Sequence, residues 1–284
     1  MADEPRHDAQ GAAGAAPARI DGGTDVRTEA APPRAGFLTL LRDLVSFDRR
    51  ALVILVYVPL ALTVMEYVFI SQTAYKRPNP AWVGTLLSDL SKRFPTVPIP
   101  LLPWLWWAAG CLVVMILVPM FLLRVVAGTG PRATGLKLKG TGRDAWLYLG
   151  LFVIFAPVVW LVSQRPDFRN TYPFYRIAGR YGWDLVAFEA AYFLQFLAVE
   201  YFFRGFLVLG LKPMLGRASI LVMLAPYCMI HFHKPMLEAM GAVGAGVVLG
   251  SLSWRTGTVV YGWFLHYGVA LTMDLLSLHA AGKI

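Results

Sequence analysis

The sequence predicts an all-α fold, a polytopic transmembrane helical bundle of about seven spans. Three observations carry that expectation. Of 284 residues, 57% are hydrophobic and 15% charged, with a mean hydropathy of +0.56; soluble domains are nearer a quarter charged. The acidic groups are unevenly placed, eight of the 17 lying within residues 1–50. Several apolar runs approach the ~20 residues that carry an α-helix across a bilayer.

Residues 1–35 are rich in Ala, Gly, Pro, Asp and Arg and nearly free of large apolar groups. Such a stretch buries too little surface to offset the entropy of ordering, so it reads as a disordered tail. No apolar core of a secretory signal follows Met1, so the first span directs insertion. Residues 36–50 carry apolar side chains at helical spacing with charges between them, the pattern of an interfacial helix lying on the bilayer.

Seven candidate spans follow: Ala51–Ile70, Leu101–Val126, Trp146–Val162, Leu185–Leu211, Ala218–His233, Met236–Trp254 and Val259–Leu278. Trp104, Trp106, Trp146 and Trp254 edge several of them, as interfacial belts do. Ser71–Pro100, polar and proline-bearing, reads as a loop. Residues 51–180 are expected to form accessory transmembrane helices and loops, and 181–284 a helical core. Lys and Arg divide almost evenly between the two sets of loops. Those nearest the first span favour an N-terminus inside.

The net charge of +9 comes from these short loops and forms no clustered basic face, so no nucleic-acid partner is expected. The lipid bilayer is the expected surrounding. Cys111 and Cys228 both lie in apolar segments and read as core packing rather than a disulfide framework.

Ionisable groups inside spans are costly and point to function. Here they are Glu66, Arg124, Glu189, Glu200, Arg204, His231, His233, Glu238, His266 and Asp274. Glu66, Arg124, Glu189 and Glu238 lie near span ends, where snorkelling or pairing accounts for them. His233 stands beside Lys234 and Pro235 at a span exit; His7 and His279 are peripheral. Glu200 and Arg204, four apart, share a helix face and can pair.

Depth singles out three residues. Glu200 precedes Lys212 by twelve positions, His231 follows Arg217 by fourteen, and His266 follows Arg255 by eleven. At 1.5 Å per residue, all three fall roughly 16–21 Å from the same membrane face. A carboxylate and two imidazoles at one level can hold and deprotonate a water for attack on an amide. A neutral imidazole can also donate to the resulting oxyanion. The same trio is a possible catalytic zinc set, although the sequence lacks an HExxH motif. Gly241, Gly244, Gly246 and Gly250 give small-xxx-small spacing, which lets their helix approach a neighbour closely.

The order of these motifs resembles a known family. EYFFRG at Glu200–Gly205, YCMIH at Tyr227–His231, the Gly-rich stretch Gly246–Gly257 and HYGVA at His266–Ala270 are similar to the CPBP family. These are CAAX-processing and bacteriocin-processing intramembrane proteases of glutamic type. The resemblance covers Leu185–Leu278. Two positions depart from the family pattern, which begins Glu-Glu where this chain has Val199-Glu200 and ends His-x-x-x-Asn where it has Ala270.

The resemblance implies an intramembrane endopeptidase, multi-pass in a cell membrane, that acts on a membrane-anchored protein or leader peptide without a cofactor. Glu200, His231, His266 and Arg204 are the expected catalytic set: Glu200 as base, the histidines as oxyanion donors, Arg204 orienting Glu200. Asp274, one turn beyond Ala270, could replace the missing polar group. The composition of the N-terminal stretch suits a high-GC bacterial inner membrane and removal of a C-terminal sorting tail. The alternatives are a catalytically inactive scaffold or immunity protein of the same fold, or a proton-relaying transporter. No repeated halves with broken helices support the last.

Overall fold

The apolar runs form helices because, in hydrocarbon, the backbone must satisfy its own hydrogen bonds. The computed structural model describes residues 36, 46, 48–70, 80–138, 142–177 and 179–283. The expected tail, most of the expected interfacial helix and residues 71–79 lie outside the described residues. No strand occurs among the described residues.

Eight helices set the architecture. α1 (Arg49–Phe69) starts on Asp48, whose carboxylate accepts from the Ala51 N–H at 3.0 Å, and is π-wound over its last turn. α2 is Ala81–Arg93. α3 (Ile99–Ala127) ends at Gly128, whose φ of 59° closes the helix in the left-handed region. α4 is Ala145–Ser163 and α5 Asp184–Leu215. α6 (Ala218–Met229), α7 (Met236–Thr256) and α8 (Val260–Ala280) complete the chain.

Every stretch expected to span is helical, but five helices are both long and apolar enough to cross a membrane: α1, α3, the Gly142–Ser163 segment containing α4, α5 and α7. α6 has only 12 residues, about 18 Å of rise, and stops at Met229 three residues after Pro226. His231 therefore sits in a turn and not within the helix. α8 is long enough, with 21 residues, but His266 and Asp274 dilute its hydropathy. α2 corrects the reading of Ser71–Pro100 as a loop: Val83, Leu86, Leu87 and Leu90 recur at helical spacing behind Pro80.

Residues 44–284 form one compact unit, built round α5. Its π-wound stretch Tyr201–Leu209 is buried at all nine positions. α1, α3, α6 and α7 pack on this stretch, and α8 packs on the preceding turns and on α4. Gly246 and Gly250 bring α7 onto α6: a Cβ at Gly246 would come within 2.6 Å of the Leu224 side chain. The loop after α3 is pinned to the bundle. The Thr134 hydroxyl meets Tyr201 at 3.1 Å, and the Val259 N–H donates to the Gly135 carbonyl.

Candidate active site

Glu200 ends the regular part of α5, and the π winding begins at the next residue. Such windings accompany functional sites because they re-aim side chains within a helix. Here Arg204 Nη1 lies 3.1 Å from Glu200 Oε1, both side chains fully buried. A buried charge pair needs further support, and α6 supplies it: the Tyr227 ring lies 4.0 Å from Arg204 Cζ, a cation–π contact.

α8 brings the imidazole. His266 Nδ1 lies 2.8 Å from Glu200 Oε1. An ionised carboxylate only accepts, so Nδ1–H is the donor and the Nε2 of a neutral ring carries the lone pair. Gly262 makes this approach possible, since a Cβ there would stand 2.9 Å from Glu200 Oε2. His231, in the turn after α6, is held in the same way: its Nδ1–H donates to the Tyr227 carbonyl at 2.8 Å. In the neutral form each ring thus carries its lone pair on Nε2.

Two cavities meet at these rings. One of roughly 670 Å³ lies among α1, α3, α5 and the end of α6; the other, roughly 240 Å³, lies among α4, α7 and α8. His231 and His266 belong to the walls of both. Val199 lines the larger cavity, whereas Glu200 and Arg204 line neither and stand behind His266.

The structure therefore brings Glu200, Arg204 and His266 into direct contact and joins His231 to them through Tyr227. Two consequences bear on the sequence-level roles. Glu200 faces away from both cavities, and His231 and His266 in their neutral forms present an acceptor, not a donor, at Nε2. Glu200 Oε1 is taken by Arg204 and His266, and among the described residues no three His, Cys, Asp or Glu side chains are grouped to hold a metal ion.

The remaining ionisable residues are placed elsewhere. Glu66 and His233 pair at 3.4 Å on the wall of the larger cavity. Arg124 donates to the Gly128 carbonyl beyond its own helix end at 3.3 Å, and Glu189 accepts from the Tyr267 hydroxyl at 3.1 Å. Asp274 is fully buried, has no hydrogen-bond partner among the described residues and lines neither cavity. Ala270 lines the smaller cavity. Cys111 is a buried core residue and Cys228 is half-buried, and both are free thiols.

Sequence reasoning gave no role to three residues that the structure places beside these rings. Tyr227 carries Arg204 on its ring and His231 on its carbonyl; its spacing four before His231 was the visible signal. Gln195 lines the larger cavity, one turn before Val199. Lys234 lines both cavities and is held by Glu238 at 2.7 Å and by the Tyr172 hydroxyl at 3.2 Å. Tyr172 also donates to Glu238 at 2.8 Å. Burial, with the Glu238 carboxylate beside it, pushes the Tyr172 phenol well above its usual range, so it remains a neutral donor.

Residues 181–272 match the family described as type II CAAX prenyl endopeptidase Rce1-like. That stretch contains Glu200, Arg204, His231 and His266, and lies in the part of the chain whose motif order resembles the CPBP family. Comparison with curated proteins and with solved structures gave no match.

Proposed function

We propose that this chain is an intramembrane endopeptidase whose water-activating group is a Glu200–His266 unit. The contact of 2.8 Å between Glu200 and His266, on the wall where two cavities meet, carries the reading. The family match over residues 181–272 supports a peptidase in general terms. The substrate is a membrane-anchored protein or leader peptide cut near its anchor, within the bacterial inner membrane; removal of a C-terminal sorting tail fits this.

His266 takes the base role that the sequence alone gave to Glu200. A water in the cavity gives a proton to His266 Nε2 as its oxygen bonds to the scissile carbonyl carbon. Glu200 holds the ring in the required tautomer and stabilises the imidazolium, the part a carboxylate plays behind a catalytic histidine. Arg204 fixes Glu200. The protonated Nε2–H then faces the tetrahedral intermediate and passes its proton to the leaving amine as the C–N bond breaks. His231 Nε2 accepts the water's second hydrogen and orients it. Gln195 and Lys234 supply N–H groups for the oxyanion.

Val199 favours a second reading. A cavity-facing position that carries a carboxylate in the resembling family here carries an isopropyl group, as in a non-catalytic scaffold or immunity protein of the same fold. The deciding experiment maps protein termini in membranes of cells lacking the chain, complemented with wild type or His266→Ala at matched levels. Loss of a defined set of cleavages in both the deletion and the His266→Ala cells supports the protease. Full complementation by His266→Ala sinks it and leaves the scaffold.

A further inference from the structure

The small residues of α7 fall into two sets. Gly246 and Gly250 are packed against α6, where a Cβ would come within 2.6 Å of Leu224 and 3.0 Å of Ile220. Gly241 and Ala245, one helical turn apart, instead line the smaller cavity, and a Cβ at Gly241 would meet nothing within 4 Å. Helix packing explains the first set and leaves the second without a role.

We propose that the cleft among α4, α7 and α8 is the subsite for the apolar residue that flanks the cut bond of a polypeptide substrate, with Gly241 and Ala245 setting how large that side chain can be. This rests on the endopeptidase reading above. An endopeptidase holds chain on both sides of the bond it cuts, and the two cavities share the same two histidines in their walls. Their linings differ. The larger holds Glu66, Gln195 and His233, which suit a polar stretch of peptide. Apart from the shared histidines and the mutually bonded Tyr172, Lys234 and Glu238, the smaller is walled by apolar side chains, among them Leu151 and Val159 of α4 and Leu265 and Val269 of α8.

Size and position narrow the occupant. A helix is about 10–12 Å across with its side chains, too wide for roughly 240 Å³. That volume matches about eight waters at ~30 Å³ each, which is room for one or two large side chains of an extended segment. The outer wall includes Phe155 and Leu237, 41% and 43% exposed, so the cleft opens sideways where a membrane-anchored substrate would lie.

The test uses the full-length chain in its own membranes, with the set of cleaved proteins and their new termini as readout. Gly241→Leu and Ala245→Leu narrow the cleft. Gly244→Leu adds the same bulk on the same helix, where a Cβ also meets nothing within 4 Å and neither cavity is lined. Cleavage at sites flanked by Leu, Ile or Phe should fall at least about 10-fold in the first two variants, the scale of discrimination an apolar pocket exerts. Sites flanked by Ala or Gly should persist, and Gly244→Leu should behave as wild type.

If wild type cleaves but Gly241→Leu and Ala245→Leu leave the flanking preference unchanged, the subsite is wrong and the protease reading stands. A uniform loss at all sites also overturns it and points to a lipid chain or a second copy of this protein in the cleft. If wild type cleaves nothing, both proposals fall.

Discussion

His266 is held from behind: its Nδ1 lies 2.8 Å from Glu200 Oε1, and Glu200 itself reaches neither cavity. The same oxygen lies 3.1 Å from Arg204 Nη1, so a single atom orients the imidazole and neutralises a buried guanidinium. That double duty separates two effects of changing Glu200, one on the ring's tautomer and one on the stability of the fold.

Glu200→Gln keeps the shape but offers His266 an amide that can donate as well as accept, which frees the ring to adopt the other tautomer. The rate constant for hydrolysis of a reporter taken from a mapped cleavage site should fall about 10³–10⁴-fold, as when the orienting carboxylate of a serine-protease triad becomes an amide. His266→Asn should cost as much or more. A loss below 10-fold for Glu200→Gln would remove the carboxylate from the mechanism.

Arg204→Met acts on stability. It leaves Glu200 buried without its ion-pair partner, and breaking a buried pair typically costs about 3–5 kcal/mol. The double variant Glu200→Gln, Arg204→Met removes both charges and should recover most of that loss while staying inactive. Unfolding in detergent, followed by circular dichroism, measures the difference. A double variant no more stable than Arg204→Met would show that the pair is not what destabilises the single variant.

Sequence reasoning reached the apolar stretches and the i,i+4 pairing of Glu200 with Arg204, because hydropathy and helical rise are properties of the chain alone. It did not reach the direction in which Glu200 points. The π winding over Tyr201–Leu209 leaves no trace in periodicity, and in the regular turns before it Gln195, Phe196 and Val199 line the larger cavity while Glu200 does not. Nor could spacing show that His231 donates to the Tyr227 carbonyl, since that bond depends on where α6 stops. α6 stops early at Met229, three residues after Pro226. Asp274 looked like a site residue on spacing, yet it is buried and lines neither cavity.

Gly262→Ala tests the close approach of α8 to Glu200. The added methyl would stand 2.9 Å from Glu200 Oε2, so either the carboxylate or α8 must shift. Overpacking of this kind costs about 1–3 kcal/mol. The rate constant should fall while KM changes little, because Gly262 lines neither cavity. An unchanged rate constant would mean that the Glu200–His266 contact tolerates displacement and is not a tuned one.

Val199→Glu separates the catalytic reading from the scaffold. Val199 lines the larger cavity with His231 and His266, so a longer polar side chain there meets open volume and the protein should still accumulate. In a working protease, a carboxylate at this position faces the water directly and can serve as a base without the help of Glu200. General bases contribute roughly 10²–10⁴-fold, so Val199→Glu combined with Glu200→Gln should regain at least about 10-fold of the rate lost by Glu200→Gln alone. If wild type is inert and Val199→Glu alone switches hydrolysis on, the chain is a scaffold whose fold retains the rest of the site. If the double variant stays as slow as Glu200→Gln, the attacking water does not lie between Val199 and the two histidines, and the placement of the reaction at the junction of the cavities is wrong.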